Sequence, residues 1–244
     1  MGHFKLKYSR YGDHSILIEW PKKIDETILE DRLNFEESIK LKYTKQKLEI
    51  ISAYNSILVI YDFTIDNFND KKNALNQLYL ASKDSSKQNS RLWKIPVCYD
   101  TTFGTDLMTF SEVKKMPIET VIERHSSSIY TVFFKGFLPG FLYLGGLDKS
   151  LHLDRKSTPN LNVQKGSVAI GGNQTGIYPQ NSPGGWHIIG RTPVSFFDVG
   201  TKPIYFASDG DRIQFQAVSL SEYNAIEKEM ENGNYKLQSE PYHG

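Results

Sequence analysis

Three glycine-dense runs in the second half of the chain hold the residues best suited to chemistry. The first opens Gly136-Phe137-Leu138-Pro139-Gly140 and continues through Phe141 and Tyr143 to Gly145-Gly146. The second spans Gly166 to Pro179 and contains Gly171-Gly172 and Gln174-Thr175-Gly176-Ile177-Tyr178. The third reads Ser182-Pro183-Gly184-Gly185-Trp186-His187 and ends Gly190-Arg191-Thr192-Pro193. Glycine admits positive φ and lets a ligand approach the backbone. Successive exposed N–H groups can then cradle a carboxylate or phosphate. Arg155 and Arg191 offer planar forks for the same anions. Gln174, Thr175, Tyr178 and His187 offer orienting hydrogen bonds, and Trp186 and Phe137 an apolar wall. This is the composition of a small-anion or nucleotide pocket. Glycines at this density also make barrel turns and bulges, and composition alone favours that plainer reading.

Other chemistries lack their residues. Lys165-Gly166-Ser167 has the wrong order for a phosphate-binding GxxxxGK[ST] loop. His3, His14, His152 and His243 are isolated, so metal-ligand spacing is missing. There is no GxSxG nucleophile elbow. Ser182 reads as a turn residue, and Asp209-Gly210-Asp211 as a hairpin turn rather than an acid pair. His125 at a helix end reads as a dipole partner rather than a base. The single cysteine, Cys98, lies in the apolar run Ile95–Tyr99 and reads as a small core hydrophobe.

The elements that must position these residues fall into two halves. The first predicts a strand at 15–20, a helix over 25–41 with Asp25 as N-cap, strands near 48–53 and 56–61 joined by a turn at Tyr54-Asn55, a helix over 66–82 and a strand at 92–98. That order is βαββαβ, the split-βαβ, ferredoxin-like pattern. Lys83 to Ser90 reads as a loop. The second half predicts a helix from Pro117 to His125, strands at 130–134, 167–170, 187–189, 204–206 and 212–218, a terminal helix over 221–231 and a polar, poorly ordered tail. Short strands between Gly/Pro turns suggest a barrel or sandwich. The expected class is α+β, with domains at 1–95 and 96–244.

The 244 residues carry a net charge of +1, with 39% hydrophobic and 23% charged side chains. Such balance is ordinary globular usage and gives no basic stripe for nucleic acid. No apolar run approaches membrane-spanning length, and the start shows no signal peptide. With one buried thiol, these features predict a cytoplasmic protein.

The three runs, in this order and followed by Phe197-Asp198, resemble the family of 5-oxoprolinase B subunits, also called KipI or allophanate hydrolase subunit 1. Ile95–Tyr99, His125–Tyr130 and Gly210–Phe215 are similar to it as well. The likeness covers most of the chain and is strongest from about 95 to 215. Where family members carry Pro-Arg pairs, this chain has Asp154-Arg155 and Pro159-Asn160, keeping the first arginine only. The resemblance implies a ferredoxin-like N-terminal domain and a C-terminal cyclophilin-like β-barrel. It implies a protein inactive alone, which cleaves 5-oxo-L-proline to L-glutamate with ATP and Mg²⁺ in a complex with the C subunit, in direct contact, and the A subunit of 5-oxoprolinase. On that footing Arg191, Gln174 and His187 are the expected catalytic residues. The expected substrate and ATP contacts are Arg155, Gly136, Phe137, Pro139, Gly140, Gly171, Gly172, Thr175, Tyr178, Gly184, Gly185, Trp186 and Thr192. Some members are described as inhibitors of a sporulation sensor histidine kinase, which makes a binding module the alternative. If Gln174, His187 and Arg191 line one cavity, the enzyme reading gains; if they scatter, the regulator gains. A half of urea carboxylase ranks below both, because the chain is short and lacks a biotinyl-lysine Met-Lys-Met run.

Overall fold

Ile16 and Ile18 on one strand, and Ile57 and Val59 on its neighbour, are fully buried at alternating positions. That period of two builds a sheet with one face packed and one open. The computed structural model describes residues 4–82, 90–198, 200 and 205–243, and the chain divides into the units Met1–Gln88 and Asn89–Gly244. The first unit contains β1 (Lys7–Arg10), β2 (Ser15–Glu19), α1 (Glu26–Lys42), β3 (Leu48–Ser52), β4 (Ser56–Tyr61) and α2 (Phe68–Ala81). Asp25 caps α1 by accepting from the Thr27 N–H at 2.9 Å, and Asn67 caps α2. Ile28, Phe35 and Ile39 of α1 and Leu75 of α2 are fully buried and join the sheet residues in one core. Within α1 the buried Arg32 pairs with Glu36 one turn on, and Ser52 donates to the same carboxylate at 2.8 Å.

The sheet order is β1-β2-β4-β3, all antiparallel. A βαββαβ unit would seat its last strand beside the first. Here that edge is filled by β1, a strand the sequence reading missed. The strand expected there, 92–98, pairs in the second unit instead. The units therefore divide at 88/89, ahead of the expected 95/96. The expected loop from Lys83 lies, up to 89, outside the described residues.

The second unit contains β5 (Arg91–Cys98), α3 (Leu107–Lys114), α4 (Ile118–Ser127), β6 (Ile129–Lys135), β7 (Leu142–Gly145), β8 (Asn160–Val163), β9 (Ser167–Gly171), β10 (Gln174–Ile177), β11 (Ser182–Gly184), β12 (His187–Arg191), β13 (Arg212–Val218), α5 (Leu220–Glu231) and β14 (Ser239–Pro241). Seven strands run β12-β9-β10-β7-β6-β13-β5, and the ring closes through Arg191 of β12 opposite Cys98 of β5. A closed barrel leaves few edges. The seam is one pair long, so the other half of β5 needs a partner. β14 supplies it through Ser239↔Trp93 to Pro241↔Arg91. The tail expected to be poorly ordered is thus in part a strand. Tyr205-Phe206 is not a strand, and Ile204 lies outside the described residues. Among the described residues, no helix is long and apolar enough to cross a membrane.

Among the described residues, one histidine is fully buried. His125 of α4 is fully buried, stacks on Phe215 at 4.6 Å and 12°, and bridges two hydroxyls. Thr175 spends its only hydroxyl hydrogen on Ala169 O at 3.0 Å, so at 2.8 Å it accepts from His125 Nε2–H. His125 Nδ1 is then an acceptor for Tyr99 O–H at 2.7 Å. Burial pushes the His125 pKa down to about 3, so the ring is neutral at physiological pH.

Candidate functional site

The loop from Lys135 to Phe141 carries an unusual backbone. Leu138 N–H donates to Gly136 O at 2.8 Å across Phe137, which sits at φ +67°. A three-residue turn centred on positive φ is rare and strained, more so for an aromatic residue. It leaves Phe137 64% exposed. Gly140, at φ +88°, follows Pro139 and passes so close to Phe196 O that a Cβ would lie 2.9 Å from it. The loop thereby presents Phe137 at the mouth of a cavity of about 90 Å³, lined by Phe137, Phe141, Tyr143, Arg155, Tyr178, Gly184, Gly185 and Trp186.

The walls are rings set edge to face. Phe141 meets Trp186 at 5.6 Å and 79°, Tyr178 at 5.8 Å and 82°, and Phe137 at 5.8 Å and 89°. Glycines make room for them. A Cβ on Gly171 would overlap the Trp186 indole, and one on Gly184 would overlap the Tyr178 hydroxyl. A Cβ on Gly176 would lie 3.1 Å from both Phe141 and Trp186. Gly171 and Gly184 therefore seat aromatic walls. Gly172, at φ +66° and with open space around it, makes the turn from β9 to β10.

Arg155 is the one formally charged residue of the lining. Its guanidinium lies over the Trp186 ring at 5.6 Å and makes no ion pair among the described residues. Burial pushes the Tyr178 hydroxyl pKa up, against the Trp186 backbone hydrogen bond and the Arg155 charge; Tyr143 is raised by burial as well. Both phenols are neutral donors at physiological pH. One exposed cation over a ring, two neutral hydroxyls and flat apolar faces suit a small anion with a planar body. A wider, open depression of about 480 Å³ runs along His152, Leu153, Asp154, Gly172 and Asn173, beside Arg155 in the chain.

The cavity gathers Phe137, Arg155, Tyr178, Gly184, Gly185 and Trp186 from the expected set. The others lie elsewhere. Thr175 is buried against His125. Thr192 is buried, its hydroxyl accepting from Val194 N–H at 3.2 Å. Gly136 begins the strained loop, Pro139 is exposed on it, and Gln174 is half-buried at the start of β10. His187 Nε2 donates to Asp154 O at 2.9 Å. Arg191 donates from Nε to Lys165 O at 3.0 Å and lies over Phe103. Gln174, His187 and Arg191 do not share the cavity, and by the criterion set from the sequence their dispersal counts toward a regulator. The cavity has Arg155 as its polar anchor instead. Phe141 and Tyr143 were missed as lining residues. Phe141 directly precedes β7 and Tyr143 lies within it; they stand two apart, the spacing that places a pair on one face of an extended chain.

Comparisons with known proteins bear on the choice between readings. Residues 6–207 match the family described as carboxyltransferase domain, subdomain C and D. The chain is 30% identical over 240 residues to the 5-oxoprolinase B subunit of Bacillus subtilis, covering 92% of this chain and 98% of that protein. It is 39% identical over 176 residues to the 5-oxoprolinase B subunit of Haemophilus influenzae, covering 72% of this chain and 82% of that one. Among solved structures, TTHA0988 aligns at 28% identity and a TM-score of 0.74, over 84% of this chain and 40% of that longer chain. On these matches, the chain belongs to the family of 5-oxoprolinase B subunits.

Proposed function

We propose that this chain is the B subunit of an ATP-dependent 5-oxoprolinase, working with the A and C subunits to cleave 5-oxo-L-proline to L-glutamate. The observation that carries the reading is Arg155 held over Trp186 in an aromatic cavity. The substrate is a flat five-membered lactam bearing one carboxylate. Arg155 takes the carboxylate, the rings face the lactam, and Tyr143 and Tyr178 donate to its polar edge. Relatives matched over 92% and 72% of this chain carry the oxoprolinase name, which favours this reading over the histidine-kinase regulator. The urea carboxylase reading stays below both, although the family description is that of a carboxyltransferase domain.

Hydrolysis of an unstrained lactam is uphill, and ATP drives it. About 90 Å³ suits a single small ring, whereas sites for larger ligands run to several hundred Å³. In this reading ATP and its Mg²⁺ are held with or by the C subunit, and the present chain binds and orients the lactam. Closure by the partner also excludes water from the open mouth at Phe137. The barrel is then of the cyclophilin-like kind, and the compartment is the cytoplasm. The reading is tested by ATP hydrolysis dependent on 5-oxo-L-proline. It appears when this chain joins the A and C subunits, and neither this chain alone nor those two without it support it. Equal activity without this chain contradicts the reading.

A further inference from the structure

Asp106 stands at the N-cap of α3, yet its side chain makes no capping bond, which is the usual employment of an aspartate there. The carboxylate is diverted. It accepts from Ile188 N–H at 2.7 Å and from Lys156 Nζ at 2.5 Å, with the two charged side chains only 20% and 22% exposed. Asp106 N–H returns a bond to Ile188 O at 2.9 Å. Gly104 makes this approach possible, since a Cβ there would lie 2.5 Å from Ile189 O. The far end of α3 reaches the segment 152–156, a strap that also contains Lys156, where Lys114 Nζ donates to His152 O at 2.7 Å. Between these points His187 Nε2 holds Asp154 O at 2.9 Å, and Lys156 N–H donates to Gly185 O at 2.8 Å.

The strap is thus pinned at alternate residues, 152, 154 and 156. The residues between are Leu153, packed on the barrel core, and Arg155, over Trp186. From this geometry we infer that Asp106, Lys156 and His187 are positioning residues, a latch that fixes where the Arg155 guanidinium stands and so sets the affinity for a substrate carboxylate. The inference rests on Arg155 being the anion partner in the proposed function. A cation on a long flexible stem binds weakly if its backbone is free to shift. A largely buried ion pair one residue away removes that freedom.

The test uses the full chain assembled with the A and C subunits and follows KM for 5-oxo-L-proline and kcat separately. Asp106→Asn keeps an acceptor for Ile188 N–H but removes the charge that holds Lys156, and Lys156→Met removes the other half. Each raises KM about tenfold while kcat stays within about twofold. The double variant is no worse than either single one, because both break one contact. Lys156→Arg restores KM. The latch variants also lose most of the preference for 5-oxo-L-proline over its uncharged carboxamide, which general loosening of the fold does not change. Arg155→Ala is the reference. If it raises KM and neither latch variant does, the latch is overturned and the site stands. If Arg155→Ala leaves KM unchanged, the site reading fails and the latch falls with it.

Discussion

Arg155 sets a positive charge over a ring face, and a hydrogen bond to a charged group contributes about 1.5–3 kcal/mol. Arg155→Ala is therefore expected to weaken 5-oxo-L-proline binding by roughly ten- to a hundredfold. Lysine is a poor replacement, since it lacks the planar fork. Titration of the assembled complex with the lactam checks this, and unchanged affinity would remove Arg155 from the site. Arg155, Trp186, Phe137 and Tyr178 were legible as candidates because few residues in a glycine-rich run can hold an anion or make a wall. Gln174, His187 and Arg191 looked equally apt, because sequence carries side-chain type without side-chain direction. His187 and Arg191 are four apart, which in a regular strand means one face. A register shift in β12 between Ile188 and Gly190 breaks that rule. His125 belongs to this scale too. Its folded pKa of about 3 lies below the ordinary 6.5. The unfolded chain takes up a proton below about pH 6.5 that the folded chain refuses until about pH 3. Stability is thus fully present above pH 6.5 and falls as pH drops through that window, by about 1.4 kcal/mol per pH unit. The difference between wild type and His125→Gln in denaturation at stepped pH should show that slope, and a flat difference would contradict the buried neutral ring.

At the scale of elements, the glycines of β9 and β11 pack against the site more than they touch a ligand. Gly171→Ala is expected to displace the Trp186 indole and to destabilise the barrel by about 1–3 kcal/mol, read as a lower urea midpoint. No change in midpoint would mean that the indole yields freely, and the wall would then be soft. The limits of α1 were legible, because Asp25 is a cap residue and the buried stripe of α1 repeats at helical spacing. Strand partners were not. Arg91–Cys98 reads as an apolar β run whichever sheet receives it, and its parallel register with β13 and its pairing with β12 assign it to the barrel. The β1 strand and the terminal β14 are four and three residues long, too short for alternation to stand out from coil. Each owes its conformation to an edge that would otherwise be bare. The α3 helix was missed because it is eight residues long and buries two side chains, Leu107 and Phe110, too few for a helical period to stand out.

At the scale of the molecule, α+β organisation, a glycine-rich barrel and a separate N-terminal unit were all readable from pattern, because long ordered motifs constrain a fold more tightly than local propensity does. The position of the division was displaced by the one strand that changed allegiance. The cavity is small, lined by one charged residue and bordered by the exposed Phe137. The decisive measurement is therefore ATP hydrolysis driven by 5-oxo-L-proline in the complex reconstituted from this chain and the A and C subunits, with wild-type chain and with Arg155→Ala. The account predicts turnover only when this chain is present, and a KM for the lactam raised at least about tenfold by Arg155→Ala with assembly intact. Turnover that persists without this chain, or a KM indifferent to Arg155, would contradict it.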